Sequence, residues 1–124
     1  MPEEKIQIQA RSFQYALRAI NLFQSLSESK NYAGNILGKQ YLRSATSIGA
    51  NIQEAQAGES RADFIHKMTI AQKEARECLY WLQLLQESKI IDHERLQPII
   101  QETKEIIAII TTIIVNTKKN IKRN

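Results

Sequence analysis

The strongest constraint on the fold is a run of apolar residues that recurs at alternating steps of four and three. The run consists of Phe64, Met68, Ala71, Ala75, Cys78, Leu82 and Leu85. Because an α-helix has about 3.6 residues per turn, these steps place all the side chains on one face. The run therefore predicts a long helix with a coiled-coil-like seam that packs against other helices.

Three further helical segments flank this one, and short breaks separate them. The first is expected from about Ile6 to Leu26 and the second from about Ile36 to Ala57. Ser60 and Asp92 are the expected N-caps of the third and fourth helices, and Gly58 is the expected C-cap of the second. The fourth helix is expected to continue to about Lys118, with Pro98 either as a kink or as the start of its main segment.

These segments predict an all-α protein, an antiparallel up-down-up-down four-helix bundle formed by a single domain over residues 1–124. The first helix is expected to bury Phe13, Leu17, Ile20 and Phe23. The isoleucines of the fourth helix cover about half of its circumference, whereas a bundle helix needs an apolar stripe of only ~100°. This surplus predicts burial on two sides and hence a homo-oligomer. The isoleucines are at positions 99, 100, 106, 107, 109, 110, 113 and 114.

A stripe of short polar residues on the second helix is the next informative pattern. It consists of Gln40, Ser44, Ser47, Asn51 and Glu54. A parallel apolar stripe consists of Ala45, Ile48, Ile52 and Ala55. A solvated face normally carries long charged side chains. Short neutral groups therefore indicate a face covered by another helix or another subunit, and Gly38 and Gly49 indicate close approach of a neighbouring helix.

Charged residues beside this stripe allow two interpretations. Glu74 and Glu77 either form surface ion pairs with Lys73 and Arg76, or one of the glutamates meets Arg43 in a buried network. Glu54 is a further possible partner of Arg43. The candidate residues of a polar network or interface are Gln40, Arg43, Ser44, Ser47, Asn51, Glu54, Glu74 and Glu77.

The net charge of +4 and the pI of about 9.3 leave nucleic acid open as a partner. The basic C-terminal tail, about residues 118–124, contains no acidic residue. It is either an arm that contacts phosphates or a frayed, solvated terminus. The first candidates for contacts with nucleic acid are Lys118, Lys119, Lys122 and Arg123. The second group consists of Lys39, Arg43 and Lys73.

No catalytic motif is found in the sequence. Asp63 and His66 give the acid-x-x-His spacing once, whereas a di-metal bundle needs Glu-x-x-His from each of two helices. Cys78 lies on the seam with no histidine placed to activate it, so an inert thiol is expected. We therefore expect no enzyme activity, no cofactor and no metal.

The cysteine count, the N-terminal sequence and the charges in the fourth helix predict the compartment of the protein and whether it spans a membrane. A single cysteine fits a reducing compartment, and the N-terminus lacks the pattern of a signal peptide. Glu102, Lys104 and Glu105 interrupt the apolar run of the fourth helix, which makes it a poor membrane span. A cytoplasmic protein is expected.

Residues 40–85 contain several motifs in a fixed order. Arg43–Glu54 matches R-S-x-x-S-I-x-x-N-I-x-E and Ser60–Phe64 matches S-x-x-D-F. Ala71–Glu77 matches A-x-x-E-x-x-E, and Tyr80–Leu82 reads Y-W-L. Over nearly its whole length the chain resembles the bacterial four-helix-bundle proteins encoded within intervening sequences of the 23S rRNA gene. One departure is Ala55, where that family often has glycine, and it is expected to lengthen the second helix.

The resemblance implies a helical bundle that assembles into a ring-like homo-oligomer, a pentamer, and it supplies no catalytic residue. A more distant resemblance is to the accessory variability proteins of diversity-generating retroelements, which are basic pentameric bundles that bind nucleic acid and the reverse transcriptase. The expected function is that of a non-enzymatic accessory protein associated with RNA or DNA. The alternative is a scaffold that binds a protein partner and has no role with nucleic acid. No membrane contact is expected.

Overall fold

Four α-helices make up the fold, as a computed structural model shows for residues 2–123, with side chains described for residues 7–120. The helices are α1 (Pro2–Glu28), α2 (Tyr32–Gln56), α3 (Arg61–Glu87) and α4 (His93–Arg123), and no strand occurs in the described range. The predicted all-α bundle is confirmed. Among the described residues, no helix combines the length and the apolar character that crossing a bilayer requires.

The helices form a closed ring of neighbours in which α1 packs on α2 and α4, and α3 packs on α2 and α4. Side-chain hydrogen bonds between α3 and α4 join Gln72 to Thr111 and Gln86 to Gln97. The residue number of the partner in α3 rises from 72 to 86 while that of the partner in α4 falls from 111 to 97. The two helices are therefore antiparallel. The contact of α2 with α3 is the most extensive, and that of α1 with α4 is the least extensive.

Local capping explains where the helices begin. The Asn31 side chain accepts a hydrogen bond from the Gly34 amide at 2.7 Å, so α2 begins at Tyr32, four residues before the expected Ile36. The predicted N-cap Ser60 is confirmed, since its hydroxyl accepts from the Asp63 amide at 3.1 Å. Helix α4 begins directly after Asp92 and continues through Pro98 as one helix.

The end of α2 agrees with the expected Ala57 within one residue, but the predicted C-cap at Gly58 was wrong. Ala57 is the C-cap, with φ −89°, and no glycine in the described range has a positive φ. Gly58 is therefore not a left-handed cap, and α2 ends at Gln56. The left-handed residues are Lys30 and Lys89, with φ of 61° and 64°, each between two helices.

The predicted inner face of α1 was also wrong. Phe13, Leu17 and Ile20 are 60%, 43% and 38% exposed, and Phe23 is only partly buried. The buried face consists of Ile8, Ser12, Tyr15, Ala19, Leu22 and Leu26. Both sets recur at steps of three and four, so the spacing alone did not distinguish the face toward the core from the face toward solvent.

The isoleucines of α4 lie largely within the core of a single chain. Six of the eight are buried, and Ile107 and Ile109 are partly buried. A single bundle therefore covers most of the isoleucine face of α4. The width of this face does not by itself require a second subunit, contrary to the prediction from the sequence. The predicted close approach at the glycines of α2 is confirmed, because a Cβ at Gly38 would lie 3.1 Å from Leu26 Cδ1.

A small polar layer crosses the centre of the core, with one residue from each helix. The Tyr15 hydroxyl lies 2.7 Å from Thr103 Oγ1, and Thr103 donates its own proton to the Ile99 carbonyl at 2.6 Å. Tyr15 is therefore the donor of the first hydrogen bond. The buried Tyr41 hydroxyl forms no hydrogen bond of normal geometry within the described residues, and burial raises its pKa, an effect that the neighbouring Tyr15 hydroxyl opposes. Burial raises the pKa of the fourth member, the Cys78 thiol, which keeps it protonated and unreactive at neutral pH.

The two core tyrosines should respond differently to removal of the hydroxyl. Tyr15→Phe removes a buried hydrogen bond and should lower the free energy of unfolding by about 0.5–1.5 kcal/mol. Tyr41→Phe removes a buried hydroxyl that forms no hydrogen bond of normal geometry among the described residues, so its effect should be close to zero or stabilising. Urea unfolding of both variants checks this. A larger decrease in Tyr41→Phe than in Tyr15→Phe would contradict the assigned hydrogen bonds.

Candidate nucleic-acid interface

The polar stripe of α2 lies along the edge where α2 meets α3. Ser44 is buried, Ser47 and Asn51 are partly buried, and Gln40 and Glu54 are exposed. The middle of the stripe is therefore covered by a helix of the same chain, and its two ends face solvent. Helix α3 makes the most extensive contact with α2, and Ala45, Ala71 and Ala75 on these helices are buried.

Arg43 joins the stripe to α3 through two carboxylates. Its Nη1 donates to Glu74 Oε2 at 3.3 Å, and its Nη2 donates to Glu77 Oε1 at 3.1 Å. The same Nη2 lies 3.2 Å from the Ser44 hydroxyl. The Glu74 side chain is only 10% exposed, whereas that of Arg43 is 53% exposed. The network is therefore buried at Glu74, partly exposed at Glu77 and open to solvent at Arg43.

The other members of the stripe do not reach α3 through hydrogen bonds. The Asn51 amide donates to the Ser47 carbonyl at 2.8 Å, and the Ser47 hydroxyl donates to the Arg43 carbonyl at 2.7 Å. These bonds stay within α2. Glu54 has no ion pair among the described residues. Contact of Gln40 or Glu54 with a second subunit stays a prediction.

The candidate cations differ in how far they are already neutralised. Lys39, Lys73, Lys118 and Lys119 are exposed and form no ion pair within the described part of the chain. Arg43 is held by two carboxylates, which makes it a weaker candidate for phosphate contact. The side chains of Lys122 and Arg123 lie outside the described residues.

A polar groove beside the tail was not predicted from the sequence. It measures about 400 Å³ and lies between the α2–α3 connection and the last turns of α4. Arg61, Asn116 and Asn120 are among its lining residues. Arg61 and Glu59, which also lines the groove, are exposed and form no ion pair among the described residues. Only the folded chain brings Arg61, far away in sequence, to the same end of the bundle as the tail.

The sequence interpretation also missed an outward apolar surface on α1. Phe13, Leu17 and Ile20 form this surface, named here the α1 stripe. Beside it lies a groove of about 340 Å³ between α1 and α2, whose lining includes Phe13, Thr46 and Gly49. These three exposed apolar side chains share one face of α1, which makes this face a candidate for an interaction surface. The signal was present in the sequence, but it was assigned to the core.

These features define the class of protein as an antiparallel four-helix bundle with a charged network across one helix pair. The profile of the family described as "23S rRNA-intervening sequence protein" matches residues 4–112. The chain belongs to this family.

A solved structure supports the same placement. The chain is similar, with 42% identity and a TM-score of 0.84, to the crystal structure of a protein of unknown function from the S23 ribosomal protein family of Bacteroides thetaiotaomicron VPI-5482. The similarity covers 90% of this chain and 97% of the other. No curated protein matches the chain.

The Arg43 network should contribute measurably to stability. Glu74→Gln removes the more buried carboxylate charge and should lower the free energy of unfolding by about 1–3 kcal/mol, less than for a fully buried pair because Arg43 is half exposed. Glu54→Gln is the matched control, and its effect should stay within about 0.5 kcal/mol. Thermal or urea unfolding measures both. Equal stability of the two variants would contradict a stabilising role for the network.

Proposed function

We propose that the protein is a cytoplasmic, non-enzymatic, oligomeric four-helix bundle that associates with RNA or DNA as an accessory protein. The observation that carries the proposal is that no described lysine forms an ion pair, Lys39, Lys73, Lys118 and Lys119 among them, on a chain of net charge +4. Such cations attract phosphates and release counterions when they bind them.

The type of contact limits the specificity that the protein can have. Lysine side chains contact phosphates as point charges and carry no information about the base sequence. Binding should therefore be weakly selective for sequence and should weaken steeply as salt is added. The polar groove beside the tail offers Arg61, Asn116 and Asn120 as further donors to the same nucleic-acid strand.

Oligomerisation would convert weak charge into useful affinity. A single subunit of net charge +4 is a poor ligand for a polyanion. A ring of five subunits, as the resemblance implies, would carry about twenty net positive charges, and multivalency raises avidity by ~10²–10⁴-fold. The α1 stripe and its groove support self-association, because a second copy of the chain would cover both.

The second candidate function is a protein-interaction scaffold without nucleic acid, and the α1 stripe favours it equally. A scaffold would need the apolar surface but not the free lysines. Substitution of the lysines therefore distinguishes the two candidate functions, because only nucleic-acid binding depends on them. The role of the α1 stripe is tested separately, by measuring the oligomeric state.

The α1 stripe should control assembly without controlling folding. Leu17→Glu places a charge on an exposed apolar site, so it should lower the mass in solution toward 14.3 kDa, the mass of one chain. The unfolding transition of the single chain should remain, because Leu17 is not part of the core. Light scattering at tens of micromolar, together with circular dichroism, measures both effects.

The matched control for this test is Gln14→Glu, which adds the same charge at an exposed position of α1 outside the stripe. It should retain the mass of the unaltered protein. If the unaltered protein is a monomer at these concentrations, or if both variants assemble normally, the α1 stripe is not a self-association surface.

The tail lysines should carry a measurable share of the affinity for nucleic acid. Lys118→Gln with Lys119→Gln should reduce the affinity for structured RNA at low salt. It should also reduce the slope of log affinity against log salt by about 1 for each phosphate that the variant no longer neutralises. Fluorescence anisotropy at several salt concentrations measures the affinity and the slope together.

The matched control removes two lysines at the opposite end of the bundle, Lys30→Gln with Lys89→Gln, which changes the net charge equally. A smaller effect of this pair assigns the contact to the tail rather than to total charge. Absence of any binding to structured RNA or duplex DNA by the intact oligomer at low salt would exclude the proposed function and leave the scaffold.

A further inference from the structure

A groove between α1 and α4 brings two arginines together. It measures about 220 Å³ and is lined by Arg18, Asn21, Leu22, Arg95 and Ile99. Arg18 and Asn21 come from α1 and Arg95 from the first turn of α4. The groove lies at the least extensive helix contact of the bundle, where a gap between helices can remain open to a ligand.

Neither arginine of this groove is neutralised. Arg18 and Arg95 form no ion pair within the described residues, and no acidic residue lines the groove. Arg11 provides the comparison along the same α1–α4 contact. Its Nε donates to Glu102 at 3.0 Å, its Nη2 contacts Glu102 and Glu105, and these carboxylates raise its pKa. The same helix pair thus supplies carboxylates to Arg11 but none to Arg18 and Arg95.

The acidic residues nearest in sequence do not compensate for the two charges. Asp92 lines a separate groove with Gln86 and His93 and is part of no ion pair among the described residues. Glu94 is exposed and does not line the groove of the two arginines. The start of α4 adds positive potential, since the amides of a first helical turn carry a partial positive charge. Two like charges without a counter-charge leave this groove poised for an anion.

We propose that Arg18 and Arg95 bind a phosphate group in this groove, with Asn21 as an additional polar partner. A guanidinium presents a planar set of donors that matches two phosphate oxygens, and two of them from different helices can hold one group from both sides. The buried side chains of Leu22 and Ile99 form the apolar wall of the groove, and both arginines are exposed and can reach a phosphate from solvent.

This inference rests on the proposed function for the source of the phosphate, which is the nucleic-acid backbone. A free phosphate ion or a nucleotide has the same chemistry. The groove is distinct from the tail contact, because Arg95 and Lys118 lie on the same helix about 35 Å apart at 1.5 Å per residue. The bundle would then hold a strand at two separated places.

The direct test uses inorganic phosphate as the probe, with titration followed by 31P NMR and by the thermal unfolding midpoint. The unaltered protein should show saturable binding and a midpoint that rises with phosphate. Arg18→Gln and Arg95→Gln should each reduce the phosphate affinity by about tenfold or more, as removal of a charged hydrogen-bond partner does. Arg76→Gln, an exposed arginine of α3 that does not line this groove, is the matched control and should retain the affinity.

The same variants distinguish a structural role from a binding role. Arg18→Gln and Arg95→Gln relieve repulsion between like charges, so without phosphate their unfolding midpoints should equal or exceed that of the unaltered protein. The conservative variant Arg95→Lys keeps the charge but not the planar donor set, and it should recover only part of the affinity.

A second arm uses a single-stranded RNA without terminal phosphates. Weaker RNA binding by Arg18→Gln and Arg95→Gln assigns the groove to backbone phosphate, whereas loss of phosphate binding alone assigns it to free phosphate or a nucleotide. Undetectable phosphate binding together with unchanged RNA binding in both variants overturns the inference. If that result is found but Lys118→Gln with Lys119→Gln still weakens RNA binding, the proposed function stands without the arginine groove.

Discussion

The close packing of α2 against α3 is the contact on which the rest of the structure depends. This contact is the most extensive in the bundle, and it brings Arg43 of α2 to Glu74 and Glu77 of α3. Arg43 and Glu74, which the sequence motifs contain, lie on these two helices and join them through an ion pair. Helices α1 and α4 complete the ring, since α1 packs on α2, α4 packs on α3, and α1 and α4 contact each other.

The fold could be predicted from the sequence wherever a segment had one apolar face. The seam of α3 satisfies this condition, and every one of its predicted core residues from Phe64 to Leu85 is buried. Helix α1 does not satisfy it, because it carries apolar residues on two faces at the same spacing. Tyr15 and Ser12 are buried by their neighbours in space while the more hydrophobic Phe13 is exposed, and hydrophobicity alone predicts the opposite order.

The candidate site was predictable in its residues but not in its arrangement. The short polar groups of α2 and the acids of α3 indicated a network. The sequence did not decide which of Glu54, Glu74 and Glu77 contacts Arg43, because that depends on how α2 and α3 are aligned. The groove of Arg18 and Arg95 left no trace in the sequence, since the residues are distant and neither belongs to a motif. Lone arginines are ordinary surface residues, and only convergence of two in one unneutralised groove makes them candidates for a phosphate contact.

The most direct test of the central claim, an oligomeric bundle that binds nucleic acid through phosphates, is sedimentation velocity of the protein with a labelled structured RNA at low and high salt. We expect a protein species whose mass is a multiple of 14.3 kDa at both salt concentrations. We expect the RNA to sediment with this species only at low salt. A protein that sediments as a single chain and leaves the RNA unshifted at low salt would contradict it.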